Sequence, residues 1–171
     1  MEPRAEIDIA GRRLSRHAVV AVGTKRPYIH TRKGLDAVTL SYDKLDASYP
    51  HSRTPCGGPW ANQCAIRMSI ALEGSGFSFA GYTDPQCAHG HARGAESLAN
   101  HLWHELGRPR IFTNGAGAKG SLSSKRGIVF FKDIAGFRNG VGDHIDLWSG
   151  TRTRTGEYFQ YCKQVWFYNV L

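Results

Sequence analysis

The chain has no apolar run long enough to cross a bilayer. Its longest aliphatic run near the start, Ala18 to Val22, falls far short of the ~20 apolar residues a spanning helix needs. No small-residue cleavage site follows that run, so no secretory signal is read, and synthesis in the cytosol is expected. Any work outside the cell then needs export by another route. Internal repeats and low-complexity tracts are missing. So are the paired CxxC and HExxH spacings of common metal sites. The glycine-rich stretch Gly115-Ala116-Gly117-Ala118-Lys119-Gly120 does not match a phosphate-binding loop, because no Lys-Ser/Thr follows its last glycine. It reads as a mobile surface loop. Acidic residues are few, 14 against 22 basic, and the resulting charge of +8 favours anionic partners. Nucleic acid, an anionic membrane face, cell-wall polymer and an acidic protein all fit that charge.

The 171 residues suffice for one domain with a sizeable core. Twenty glycines predict a loop-rich fold with several tight turns. Residues 1–38 are basic and irregular, with the Ala18–Val22 run and a turn at His30–Gly34. They read as an N-terminal extension, a hairpin packed on a domain that spans residues 39–171. Within that domain, Leu40 to Pro50 predicts a short helix that Ser41 caps, Leu45 and Tyr49 line, and Pro50 stops. A Pro/Gly-rich loop from His51 to Trp60 follows. Asn62 to Leu72 predicts a helix with Cys64, Met68, Ala71 and Leu72 on one side, ended by Gly74 and Gly76. Phe77 to Gly94 reads as a long loop. Ala95 to Leu106 predicts a further helix, with Leu98, Leu102 and Leu106 as its stripe. The last third reads as strands: Gly127–Lys132, Asp143–Trp148, and Gln164–Val170 as a central strand. Helices first and antiparallel strands afterwards argue an α+β fold.

Cys64 opens the first long helix, directly after a Gly/Pro-rich loop. The positive end of a helix stabilises an anion, so this position raises the thiolate fraction of a cysteine. The plainer reading is a small buried hydrophobe. His144 lies on a short strand beside Gly140 and Gly142, which open a cleft there. An activated cysteine needs such an imidazole near in space. Asp146, two residues on, shares the strand face of His144 and can orient its ring. Asn62 and Gln63, with the Cys64 backbone N–H, are candidates to hold an oxyanion; the plainer role for Asn62 is to cap the helix.

The other three cysteines are Cys56, Cys87 and Cys162. If Cys64 is a nucleophile, at most one disulfide can form, and Cys56 with Cys87 is the pair considered; Cys162 reads as a lone buried thiol. Cys87, His89 and His91, with Cys56, offer zinc-type ligands, but without a paired spacing. His101 and His104 share a helix and lack a third ligand. No metal site is expected.

The stretch Asn62-Gln63-Cys64-Ala65-Ile66-Arg67-Met68-Ser69 resembles the nucleophile motif of the fourth family of type VI secretion amidase effectors. Asp143-His144-Ile145-Asp146-Leu147-Trp148-Ser149-Gly150 is similar to that family's Gly-His-x-x-Leu-Trp-x-Gly block, which carries its catalytic histidine. Gly127–Phe130 resembles the strand before that block, and Leu40–Pro50 the family's N-terminal helix. The likeness runs from about Leu40 to the C-terminus.

The resemblance implies a papain-like, NlpC-type fold with N-terminal helices packed on an antiparallel sheet and Cys64 and His144 as catalytic dyad. It implies an antibacterial hydrolase that cuts the D-glutamate–meso-diaminopimelate amide of peptidoglycan stem peptides without metal or organic cofactor. It further implies delivery by the secretion machinery to the periplasm of target bacteria and a cognate immunity protein, with no nucleic-acid partner and no membrane insertion. The family's triad aspartate, in a cysteine-flanked loop after the Trp-x-Gly, has no counterpart in Thr151–Glu157. Asp146 is the substitute, with Glu157 in reserve. Asp143 replaces the glycine before the histidine. A non-enzymatic basic binding domain, or a cysteine amidase of another substrate class, is the alternative reading.

Overall fold

In the computed structural model, which describes residues 39–171, the apolar run of residues 127–134 becomes the strand around which the molecule is built. The expected N-terminal hairpin, the Ala18–Val22 run and the His30–Gly34 turn lie outside the described residues. The elements run α1 (Tyr42–Ser48), α2 (Cys64–Gly74), α3 (Ala95–Leu106), β1 (Arg110–Phe112), α4 (Gly115–Ser121), β2 (Gly127–Ile134), β3 (Gly142–Trp148) and β4 (Cys162–Asn169), with one 3-10 turn at Arg138–Gly140. The four strands form one antiparallel sheet in the order β1-β4-β2-β3. β4 is interior, as its β-branched and aromatic residues predict. β3 is an edge strand.

Both faces of the sheet are covered. Ile128, Phe130, Ile145, Leu147, Trp166 and Tyr168 pack against α1, α2 and α3. Val129, Phe131, Trp148, Val165 and Phe167 face the other way, against Ala118, Leu122 and Phe159. Neighbouring residues in a strand point to opposite faces, so a two-sided core needs an unbroken apolar run. That is why β2 reads as continuous Ile-Val-Phe-Phe. It is also why β3, whose sequence alternates polar and apolar, is buried along both sides, with His144 and Asp146 inside.

α2 and α3 form where the apolar periodicity places them. α3 ends at Gly107, whose φ of 90° is the left-handed backbone that favours glycine. Its last stripe residue, Leu106, is exposed. α1 departs from expectation in its cap. The Ser41 side chain makes no capping bond, and the first free helical N–H, on Tyr42, donates instead to the Leu171 carbonyl at 2.7 Å. β1 is a three-residue strand with no periodic signal of its own; pairing with β4 creates it.

The largest correction concerns residues 115–121. They are a helix, α4, and not a mobile loop. Three glycines in seven residues oppose a helix, each by about 1 kcal/mol relative to alanine. Packing overrides that preference. Asn114 caps the helix by accepting the Gly117 N–H at 3.2 Å, and Ala118 and Leu122 are wholly buried against the sheet. Gly115 is required by close approach: a Cβ there would lie 1.8 Å from the Phe159 carbonyl oxygen. Because that neighbour is backbone, Gly115→Ala is expected to cost about 1–3 kcal/mol by forcing helix and loop apart. Urea unfolding checks this, with Gly120→Ala, which meets open space, as the comparison expected to be neutral or stabilising.

Candidate active site

Cys64 is the first residue of α2 and is buried. The helix begins two residues later than expected, with Gln63 and not Asn62 at its N-cap, and no side chain caps it. Its first N–H groups are left without a side-chain partner, and the Ala65 backbone helps to keep the Cys64 thiol below its ordinary value. α2 lies along the edge strand β3. An edge strand has backbone groups without ladder partners, and the Ile145 backbone also supports the sulfur.

His144, on β3, faces this sulfur. Its ring stacks on Phe131, with centroids 6.4 Å apart, and meets Tyr158 edge-on at 5.1 Å. Its Nε2 lies 3.5 Å from Asp146 Oδ2 and 3.3 Å from Thr155 Oγ1. The i, i+2 strand geometry thus brings Asp146 to His144, and Thr155 braces the pair. Thr155 donates from both its N–H (2.6 Å) and its hydroxyl (2.9 Å) to Asp146 Oδ2. Gly156 N–H adds a third bond to the same oxygen at 3.2 Å, and Leu147 N–H donates to Oδ1 at 2.9 Å. The turn after β3 makes this possible. Ser149 N–H bonds Arg152 O and Arg154 N–H bonds Leu147 O, folding residues 151–156 back along the strand.

These contacts set the protonation states. Burial alone would push the Cys64 thiol up, but the adjacent His144 imidazole outweighs it and holds the thiol below its ordinary value. Burial opposes charge on His144, yet Asp146 and then Cys64 raise its pKa. Burial would likewise raise Asp146, and its bonds to His144 and Thr155 lower it instead. The three groups therefore favour a thiolate–imidazolium–carboxylate arrangement over an uncharged thiol and imidazole.

The remaining expectations fall out differently. Gln63 is buried, and its amide is committed to the preceding loop. Its Nε2 donates to Gly57 O (3.1 Å) and Trp60 O (3.3 Å), and its Oε1 accepts the Cys56 N–H at 3.2 Å. Both amide protons are spent, so the side chain does not serve an oxyanion. Asn62 neither caps α2 nor is buried; it lines the cavity. Glu157 turns away from His144 and pairs with Lys119 of α4. Asp143, in place of the resembled glycine, accepts the Asp133 N–H at 2.9 Å and so fixes the bulge between β2 and β3. Cys56 and Cys87 are joined as a disulfide; Cys162 is half-buried, with its thiol pushed up to about 11 by burial. His101 packs among Phe77, Phe79 and Tyr82, and His104 bonds its neighbour Glu105, so neither joins a ligand cluster.

Cys64 and His144 open into a cavity of about 530 Å³. Arg53, Arg67, Arg154, Tyr49 and Tyr158 are among its walls. Arg53, Arg154 and Tyr158 lie outside the motifs read from the sequence, whereas Tyr49 and Arg67 fall within the resembled stretches. Arg67 sits one helical turn after Gln63 and donates to the Gln63 carbonyl and to Thr155 Oγ1, both at 3.4 Å.

Comparison with known proteins agrees with this architecture. Residues 60–168 match the family described as type VI secretion system (T6SS), amidase effector protein 4, or Tae4. The solved structure of the effector Tae4 from Enterobacter cloacae superposes with a TM-score of 0.66 at 15% identity, over 80% of this chain and 100% of that one. Tae4 from Salmonella typhimurium, solved in complex with the immunity protein Tai4 from Enterobacter cloacae, gives 0.60 at 19% identity, over 77% and 99%. At such identities the likeness carries the fold, which is papain-like of the NlpC type. No curated protein sequence matches the chain. With the family profile covering most of its length, including the helix that Cys64 opens and the strand that carries His144, the chain belongs to the T6SS amidase effector 4 family of peptidoglycan amidases.

Proposed function

We propose that this chain is a cysteine amidase that cleaves the D-glutamate–meso-diaminopimelate bond of peptidoglycan stem peptides. The observation that carries the reading is the Cys64–His144–Asp146 line at the mouth of an arginine-walled cavity. The Cys64 thiolate attacks the scissile carbonyl. The Cys64 backbone N–H, at the uncapped start of α2, serves the oxyanion, and Asn62 stands at the rim as a second donor. Imidazolium His144 protonates the leaving amine, and the same ring then activates the water that opens the thioester. Asp146 holds the ring and stays ionised throughout. Stem peptides are rich in carboxylates, and Arg53, Arg67 and Arg154 suit them.

The same family membership supports delivery by the type VI machinery into the periplasm of target bacteria, away from the producer's own wall. A cognate immunity protein would close the cavity; the +8 charge of this chain suits an acidic one. Residues 39–171 form the amidase domain in this reading, with residues 1–38 as an extension.

Mass analysis of isolated peptidoglycan after digestion tests the assignment. The expected products are stems cut between the second and third residues, with new diaminopimelate amino termini. If intact crosslinked stems persist after long incubation with folded protein, the wall assignment fails.

A further inference from the structure

The loop between α2 and α3 closes into a tight turn. Gln86 and Ala92 pair across it, Cys87 N–H donates to His91 O at 2.9 Å, and Gly90 N–H donates to Cys87 O at 2.9 Å. The turn presents Cys87, His89 and His91 to Cys56, on the loop before α2. His89 Nδ1 lies 3.2 Å from Cys56 Sγ. His91 Nδ1 lies 3.7 Å from Cys56 Sγ and 3.6 Å from Cys87 Sγ. The ligand atoms of Cys56, Cys87 and His89 all fall within 4.8 Å of one another; His91 lies outside that mutual set, with its Nδ1 within 3.7 Å of both sulfurs. Zinc bound tetrahedrally, at about 2.3 Å to sulfur and about 2.0–2.1 Å to nitrogen, sets its S and N ligands about 3.6 Å apart. The three observed S···N separations bracket that spacing.

A second observation points the same way. His91 Nε2 lies 3.3 Å from Glu73 Oε2, within ion-pair range. A carboxylate beside the far nitrogen is a common companion of metal-binding imidazoles, because it favours the proton on Nε2 and leaves Nδ1 for the metal. Here Nδ1 faces both sulfurs. In the structure the sulfurs are bonded to each other, so disulfide and metal are competing fates of one pair.

We propose that, when the Cys56–Cys87 disulfide is reduced, Cys56, Cys87, His89 and His91 form a tetrahedral site for zinc or another thiophilic divalent cation. A dithiol reductant supplies two electrons and two protons; the S–S bond breaks, two thiols form, and the reductant closes to its own disulfide. Metal binding then releases the two thiol protons to solvent and leaves a neutral site of two thiolates, two imidazoles and one dication. A cysteine-bearing chain made in a reducing compartment lacks its disulfide there. The metal would replace it, closing the same 31-residue separation in sequence. The site has no part in amide cleavage. Its nearest tie to the catalytic centre is the Cys56 N–H bond to Gln63, the residue before Cys64.

Anaerobic titration of the dithiol-reduced full chain with Co2+ tests the proposal. The expected result is uptake of one cobalt per chain, with visible bands of tetrahedral cobalt and a thiolate charge-transfer band that Zn2+ abolishes. The oxidised chain should show neither. The spectrum should persist in Cys64→Ala/Cys162→Ser and vanish in His89→Ala/His91→Ala, in which His89 is exposed and His91 mostly buried, with circular dichroism showing that the fold is kept. Glu73→Gln should bind about 10–100-fold more weakly. A reduced chain without the charge-transfer band overturns the proposal. So does a spectrum unchanged in the histidine variant, or one lost with Cys64 and Cys162.

Discussion

A Cys64→Ala chain is expected to lose peptidoglycan cleavage by at least about 10⁴-fold, the scale on which removing a nucleophile from a catalytic triad acts. No neighbouring group can take over. Cys162 is half-buried with a raised pKa, and Cys56 and Cys87 are paired to each other. The fold should survive, because alanine loses only one sulfur from a position already at the end of a helix. Circular dichroism and Tm close to the parent protein, together with loss of new diaminopimelate amino termini, constitute the result. Activity retained in a folded Cys64→Ala chain would mean that the cavity binds wall material without cutting it, the non-enzymatic reading.

Asp146→Asn is expected to act on both chemistry and stability. The wholly buried carboxylate takes four protein bonds besides its contact with His144. An amide nitrogen at the Oδ2 position would point its own protons at the donors of Thr155 and Gly156. Breaking one side of a buried charge pair costs about 3–5 kcal/mol, which a urea midpoint measures. For activity, loss of the histidine's carboxylate is worth up to about 10⁴-fold. The pH profile separates this from simple unfolding. The reactive ion pair needs thiolate and imidazolium together. Its acid limb follows the lowered thiol, and its alkaline limb the His144 ring, raised to about 9. Without Asp146 the alkaline limb should fall toward the ordinary imidazole value of 6.5. The sign on stability follows separately. A carboxylate lowered in the folded state stabilises above its unfolded pKa, near 3.8, and that contribution is lost as pH falls through the folded value. The asparagine chain should lack that part of the acid transition. A variant with reduced activity but an unmoved alkaline limb would remove Asp146 from its place behind His144.

Much of this candidate site is legible in the sequence. Cys64 opens a helix after a Gly/Pro loop, and His144 and Asp146 share a strand face by simple alternation; both are local patterns of period 3.6 or 2. Thr155 was not legible. It lies nine residues beyond Asp146, and only the fold-back of the turn after β3 brings its two donors to the carboxylate. Gln63 misled for the same reason: its position beside Cys64 suggested an oxyanion donor, whereas the loop it anchors turned its amide inward. α4 was missed because glycine preference is local and the Phe159 backbone that demands Gly115 is remote in sequence.

By itself the sequence determined the helices α1 to α3, the long strands, the helix terminus that Cys64 occupies and the spacing of His144 and Asp146, because each depends on residues within a few positions of one another. Tertiary structure alone decided that β3 lies at the sheet's edge, where α2 can set its sulfur against His144, that arginines from three separate segments wall one cavity, and that Cys56 meets Cys87. Those outcomes depend on strand order and loop closure, which are set by burying both faces of one sheet at once and leave no periodic trace in the chain.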